Sequence, residues 1–418
     1  MKICLVMDFL PGYHKNWGGA EVVGFSVAES LERNGQNVSI LTSKFDCENN
    51  NPPKNIFQIK TPLSGVNSKL SFLLANFPLD IFSILYSIHA LKKIKPDIVH
   101  FHAKKLFLPV MASCVILKIP AVFTVHDYFI LCPKLILIKP DGKICEGAKG
   151  GNCANCFTEG KLKKTAAIIF FCLRSKILKY FIKKLRALIA ITETSKKRLK
   201  KYGFLNKNIE VLYQYRVNFK NNSDNKEGFS HSEEPSILFS GAICGPHKGL
   251  HIAIKAMADV VAKFPNAKLL VTGKINNDSY QKEIDSLINN LNLKENIEFM
   301  GQKKNKKILQ IIRNSNIVIV PEQWPNDPGP LMLIESMTLG KPIVASNIGG
   351  IPEFIQDGFN GLLAEHDQPK QFTEKILWLL KNEAEASLIG QRAKKSIETL
   401  LNKCQAEEAI KFYKNLIV

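Results

Sequence analysis

Residues 321–363 read PEQWPNDPGPLMLIESMTLGKPIVASNIGGIPEFIQDGFNGLL. They follow the apolar run NIVIV and pass through a Gly/Pro turn into a helical stretch that carries an acid. A second strand, PIVAS, and a Gly-Gly turn come next. Strand, turn, helix and strand in that order make one βαβ unit. Outward from it the same alternation fills the chain. KICLVMD, NVSILTS, DIVHFH, AVFTVHD, ALIAIT and IEVLY read as strands in the first half. SILFSG, AKLLVTG, IEFMG, NIVIVPE, PIVAS and GLLAE do so in the second. Near-continuous apolar runs of this length suit strands covered on both faces, and helical patterns between them imply parallel sheets.

The series occurs twice. Between the two lies NFKNNSDNKEGFSHSEEP, residues 218–235, which is polar, without periodicity, and reads as a linker. The expected fold is α/β: two doubly wound, parallel-sheet, Rossmann-like domains facing across a cleft. The first covers residues 1–217 with a Cys-rich insertion at 128–160, and the second covers 236–395. A last helix, 396–418, offers Ala409, Ile410, Phe412 and Tyr413 for packing. Ligands of such sheets bind beyond the carboxyl ends of the strands.

Composition narrows the partners. A net charge of +20 over 418 residues points to an acidic partner. Nucleic acid, an anionic membrane surface and a phosphorylated substrate all qualify. No arginine-rich or aromatic RNA-binding signature is present, which sets nucleic acid aside. The chain opens directly on an apolar strand, and its longest other apolar run, AAIIFFCL, is too short for a membrane span. Ten cysteines without a leader predict reduced thiols and a cytoplasmic protein. Neither G-x-G-x-x-G after the first strand nor G-x-x-x-x-G-K-[ST] occurs, so the dinucleotide oxidoreductase and P-loop readings lose their main support.

Two acids flank the turn in the opening stretch, Asp327 and Glu335, eight positions apart. The peptide N–H groups of Gly329, Leu331 and Met332 sit where a helix begins and suit a diphosphate. Pro328 and Pro330 contribute none. Asp327 also reads as a simple helix cap. Glu335 lies among Met332, Leu333, Ile334 and Met337, where a carboxylate needs partners. In FSGAICGPHKGL, Lys248 stands at a strand-to-helix turn and can pair with phosphate, or serve as a solvated helix-start lysine. Gly18 and Gly19 open a helix after the first strand and allow close backbone approach. His126 and Asp127 end the strand AVFTVHD, where the acid can hold the tautomer of the imidazole. His100 and His102 share one strand face. With no third ligand in sight they read as core or cleft-lining side chains.

These segments resemble family-4 retaining glycosyltransferases of the GT-B fold. The paired acids, KPIVAS, GGIPE and DGFNGLL match that family in order and spacing. The resemblance implies transfer of a sugar from a nucleotide diphosphate sugar to a hydroxyl acceptor, lipid-linked or part of a surface glycan. It implies retention and no catalytic metal. It assigns Glu335 to the nucleotide ribose and Asp327 to the sugar ring. Lys248 goes to the diphosphate, the Gly18–Gly19 loop to phosphates and acceptor, and His126 to a sugar hydroxyl near the reaction centre. It also implies that the last helix crosses back onto the first domain. Two departures stand out: Asp327 replaces the usual Glu, and Ala242 stands where Arg is usual. They keep open a non-catalytic nucleotide-sugar binding protein, and a nucleotide-sugar epimerase of the same fold is the other alternative.

Two features lie outside the donor motifs. From Lys161 to Lys207 there are fifteen Lys/Arg and one acid, Glu193. Phe170, Leu173, Ile177, Phe181 and Leu188 fall on one expected helical face and Lys176, Lys179, Lys183 and Arg186 on another. That pattern fits peripheral attachment to the anionic inner face of a cell membrane, or an ordinary surface helix. Cys132, Cys145, Cys153 and Cys156 are spaced C-x12-C-x7-C-x2-C. The C-x2-C pair suits two ligands of a structural Zn²⁺, while reduced loop thiols are the alternative.

Overall fold

A computed structural model describes residues 1–14, 17–45, 54–59, 80–140, 143–147, 150–157, 161–213, 234–241, 243, 245–273, 275, 277–303, 305–325, 329, 331–402 and 405–417. The chain divides into two compact units, Met1–Phe219 with Lys403–Val418, and Lys220–Asn402. Most of the expected linker lies outside the described residues.

The first unit is built on β1 (Lys2–Met7), β2 (Asn37–Ser43), β3 (Ile56–Ile59), β4 (Ile98–Phe101), β5 (Ala121–Val125), β6 (Ala187–Ala190) and β7 (Ile209–Val211). They form one sheet in the order β3-β2-β1-β4-β5-β6-β7, with every pairing parallel. β4, β5 and β6 are buried along their whole length, as apolar strands covered on both faces must be. β3 escapes a sequence reading: its four residues, IFQI, lie at the sheet edge and only the last is fully buried.

Helices α1 (Gly19–Arg33), α2 (Ile81–Ile94), α3 (Phe107–Leu117), α4 (Lys161–Lys184) and α5 (Glu193–Lys201) belong to the same unit. Thr192 caps α5, its hydroxyl accepting the Ser195 N–H at 3.1 Å.

Helix α4 corrects the face drawn from sequence. It stops at Lys184, so Leu188 lies in β6 rather than on the helix. Phe171, Leu178, Phe181 and Ile182 turn inward. Leu173 turns out, with Ile169 and Tyr180, beside exposed Lys176, Lys179 and Lys183. The helix is apolar enough to offer two faces, and the shape of its neighbours selects the buried one.

Helix α2 is packed inside out. Ser83, Ser87, Ala90 and Leu91 are buried against its neighbours, while Ile81, Phe82, Leu85 and Tyr86 are between 44% and 65% exposed. Small residues let α2 lie close on α3, where Ser113 Oγ donates to the Ile84 carbonyl at 3.1 Å.

The second unit repeats the plan with β8 (Ser236–Ser240), β9 (Lys268–Thr272), β10 (Ile297–Gly301), β11 (Ile317–Val320), β12 (Ile343–Ser346) and β13 (Leu362–Ala364). Their order is β10-β9-β8-β11-β12-β13, again all parallel. Its helices are α6 (Leu250–Lys263), α7 (Asp278–Asn290), α8 (Asn305–Asn314), α9 (Leu331–Thr338), α10 (Pro369–Lys381) and α11 (Glu383–Asn402). Leu250, Ala253, Ile254 and Met257 of α6 join Phe372, Ile376 and Leu379 of α10 in one core.

The final helix, α12 (Gln405–Ile417), belongs to the first unit. Its Tyr413 is fully buried there, with the hydroxyl 2.7 Å from His100 Nδ1.

Each sheet reverses direction once. In the first unit the chain runs outward from β1 through β3 and returns to β4 on the other side of β1. In the second it runs outward from β8 through β10 and returns to β11 beside β8. At such a switch point the loops leaving two neighbouring strands diverge and leave a crevice.

Candidate functional site

The switch point of the second unit holds Lys248 and Glu322. After β8 the chain makes a single 3-10 turn, Pro246–Lys248, and enters α6 through Gly249. Gly249 has φ +74°, and a Cβ there would lie 1.7 Å from the Pro321 carbonyl oxygen. Only glycine lets the loop after β8 press this closely on the loop after β11. The Gln323 N–H joins the two loops through the His247 carbonyl at 2.8 Å.

Lys248 Nζ is thereby placed 3.0 Å from Glu322 Oε2, with Lys248 at 23% and Glu322 at 3% side-chain exposure. The ammonium also lies 5.9 Å from the Trp324 ring centre. Lys248 is therefore not a solvated helix-start side chain. Its charge is fixed at the carboxyl end of the sheet by a buried carboxylate, as a group that meets an anion must be. Glu322 was not singled out from sequence. The available signal was an acid two positions after the strand NIVIV, beyond Pro321.

Glu335 lies in α9, 6% exposed, and Met332, Leu333, Ile334 and Met337 of the same helix are buried too. Leu331 and Met332 form the first turn of α9, where N–H groups lack intrahelical acceptors. Gly329 precedes them at φ +132°. Asp327, with Pro328 and Pro330, lies outside the described residues, and so does Ala242.

At the switch point of the first unit Asp8 directly follows β1. Its carboxylate accepts the N–H groups of Lys104, Lys105 and Leu106 at 2.8, 3.0 and 2.9 Å. Gly18 caps α1, and its N–H donates to Glu21 Oε2 at 2.8 Å. Gly19 is the first residue of that helix. Burial, and then the nearby Asp8 charge, raise the pKa of Glu21.

His126 is half-buried just past the end of β5. Its expected partner, Asp127, is engaged elsewhere: it pairs with Lys104 Nζ at 2.7 Å and accepts the Phe129 N–H at 2.9 Å. His126 Nε2 instead lies 2.7 Å from His102 Nδ1. His100 and His102 are both buried, with ring centres 4.2 Å apart. Burial pushes His126 down to about 4 and His100 to about 3, and holds His102 well below the usual range. In all three, burial favours the neutral imidazole.

Cys132, Cys145, Cys153 and Cys156 are free thiols lining one cavity of about 530 Å³, together with Lys134, Asn152 and Phe157. Burial, and then the three other thiols, push Cys153 up to about 12 although Arg174 opposes this. Among the described residues no group of three or more His, Cys, Asp or Glu side chains stands ready to hold a metal ion. That holds for the His100–His102 pair as well.

Two family models match the chain: Glycosyltransferase Family 4 over residues 17–214 and Glycosyl transferases group 1 over residues 220–396. A glycosyltransferase of Methanocaldococcus jannaschii is 34% identical over 157 residues, 38% of this chain and 41% of the relative. The N-acetyl-alpha-D-glucosaminyl L-malate synthase of Bacillus anthracis is 28% identical over 196 residues, 46% of this chain and 49% of that protein. The chain thus spans less than half the length of either relative. Among solved structures, Anabaena HepE in complex with UDP and glucose superposes with a TM-score of 0.68 at 16% identity, covering 99% of both chains. That likeness establishes the fold.

Proposed function

Because the chain belongs to the family-4 glycosyltransferases of the GT-B fold, we propose that it transfers a sugar from a nucleotide diphosphate sugar to a hydroxyl acceptor with retention. The observation that carries this reading is the Lys248–Glu322 pair at the switch point of the second sheet. A fixed cation and the N-terminal N–H groups of α9 suit a diphosphate, and Glu335 suits the hydroxyls of a ribose. In the reaction the bond from the anomeric carbon to the diphosphate oxygen breaks. The acceptor oxygen bonds to the same face of that carbon, and its proton passes to the departing diphosphate. Lys248 stabilises the charge that develops there. Asp327 and His126 hold the sugar. The neighbour HepE was solved with UDP, which makes UDP the first nucleotide to try.

Lys248→Ala is expected to weaken UDP and UDP-sugar alike, by roughly ten- to a hundredfold in Kd, since a charge-assisted contact is worth about 1.5–3 kcal/mol. Isothermal calorimetry checks this. Equal UDP affinity in parent and variant sinks the assignment, and GDP takes the place of UDP if only GDP binds the parent.

The acceptor we propose is lipid-linked, met at an anionic bilayer by a peripheral protein on the cytoplasmic side. Among the described residues no helix is long and apolar enough to cross a membrane. Support comes from the outward faces of α2 and α4, each in contact with α3. Ile81, Phe82, Leu85 and Tyr86 of α2 offer apolar area. Exposed lysines of α4 offer charge, at about 1 kcal/mol for each basic group near an anionic leaflet. Replacing Lys176, Lys179, Lys183 and Arg186 by Gln should abolish sedimentation with phosphatidylglycerol vesicles at low salt. A parent protein that stays in the supernatant refutes the proposal.

A structural Zn²⁺ held by Cys132, Cys145, Cys153 and Cys156 is proposed separately. Its support is the C-x2-C spacing and the cavity the four thiols share. The thiols would close on the ion and lose their protons to it. It would brace the loop after His126 without entering bond making. Metal content by mass spectrometry should approach the single ion that a four-cysteine site holds. Below about 0.2 ion per chain, set against that single ion, the proposal fails.

A further inference from the structure

His100 lies in β4 and His102 just after it, and the His102 ring reaches the His126 ring just past the end of the paired strand β5, a contact whose chemistry reaches beyond burial. We infer that His102 sets the tautomer of His126: His102 donates its Nδ1 proton to His126 Nε2, and His126 therefore carries its own proton on Nδ1. The inference rests on the proposed transferase reading only where it says what His126 then does to substrate.

The two nitrogens lie 2.7 Å apart, so one ring donates and the other accepts. Each neutral imidazole has one N–H and one lone pair to place. The other nitrogen of His102, Nε2, is buried with no hydrogen-bond partner. If the His102 proton sat there, a donor would be stranded in the core. Placing it on Nδ1 strands a lone pair instead, and an orphaned N–H is the rarer and costlier defect. Asp127 does not compete for His126, because Lys104 and the Phe129 N–H occupy its two oxygens.

The ring of His102 has no room to turn away. The His100 ring lies 4.2 Å from it on one side and the His126 ring 5.0 Å on the other. Gly24 of α1 passes so near that a Cβ there would stand 3.0 Å from His102 Cγ and 2.9 Å from Met7 Sδ. His102 is a positioning residue, packed on three sides, whose one satisfied nitrogen faces His126.

With Nε2 occupied, His126 meets its surroundings through Nδ1–H, to which the described residues give no partner. A donor at that position recognises an oxygen lone pair, from a sugar hydroxyl or a phosphate. It cannot take the proton of an incoming acceptor, because that nitrogen already holds one. This agrees with the proposed reaction, in which the acceptor's proton goes to the departing diphosphate.

Long-range proton–nitrogen correlation NMR on the full chain, labelled with 15N-histidine, tests this directly. His126 should show a protonated Nδ1 and a bare Nε2, and His102 the same. A protonated Nε2 on His126 in the parent protein overturns the inference without any variant. Three substitutions extend the test. In His102→Asn the amide N–H2 replaces Nδ1–H as donor, so the His126 tautomer should persist and turnover stay within about threefold. In His102→Asp the partner only accepts, so the His126 proton should move to Nε2 and turnover fall by about tenfold, the effect of one lost hydrogen bond. An unmoved His126 tautomer in folded His102→Asp overturns the inference. In His126→Ala turnover should fall at least as far as in His102→Asp; unchanged turnover removes the proposed sugar contact, while the tautomer is judged from the parent's NMR pattern alone.

Discussion

Glu335→Gln is expected to lower kcat/KM by roughly 30- to 1,000-fold, the equivalent of about 2–4 kcal/mol, while the protein stays folded. The substitution keeps shape and exchanges one acceptor oxygen for an N–H2 donor. Two ribose hydroxyls that both donate to a carboxylate would then face one acceptor and one donor. Stability should move the other way or not at all. Glu335 is 6% exposed in a helix where Met332, Leu333, Ile334 and Met337 are also buried, and a neutral amide is cheaper to bury than a carboxylate. Steady-state kinetics with a donor that turns over, beside a urea titration, separates the two effects. Undiminished activity in a folded variant removes Glu335 from the donor site. Lost activity together with lost stability makes it a structural residue instead.

The second large effect is Gly249→Ala. One methyl group would meet the Pro321 carbonyl oxygen at 1.7 Å and the carbonyl carbon at 2.7 Å, on a residue held at φ +74°. Both obstacles are backbone, so no side chain can turn aside. Either the loop after β8 lifts or the end of β11 shifts, and each separates Lys248 from Glu322. The expected loss of stability is about 3 kcal/mol or more, in the range reserved for forced backbone strain and overpacking. UDP affinity should fall with it, to at most that of Lys248→Ala. A variant with the urea midpoint and UDP affinity of the parent would show that the two loops do not depend on this close approach.

Much of this architecture can be read from the residues, for a definite reason. Strands buried on both faces must be apolar throughout, and such runs as ALIAIT and NIVIVPE cannot be mistaken for half-exposed strands. The exception, β3, is short and half-covered at the edge, so its four residues carry no such signature. The sites were less legible because they depend on which strands become neighbours. Lys248 and Glu322 are 74 positions apart in sequence and meet only because β11 returns to the side of β8. His102 and His126 are 24 apart and meet because β4 and β5 pair. An acid next in sequence, Asp127, looked like the partner of His126, and a lysine from the neighbouring loop claimed it first. The inside-out packing of α2 was invisible for a different reason: its apolar residues look like core until the small ones are seen to fill that place.

The placement of α12 has a consequence for how the protein is made. Tyr413 reaches His100 across 313 positions of sequence, and Ala406 and Ala409 are buried with it in the first unit. A ribosome delivers β1 to β7 before this helix. The amino-terminal sheet therefore leaves the exit tunnel with one buried imidazole lacking its tyrosine and with the seat of a helix still open to water. It can be completed only after the whole of the other unit has been synthesised. Within the first unit the strands are thus made early, and the helix that covers His100 is made only after the second unit.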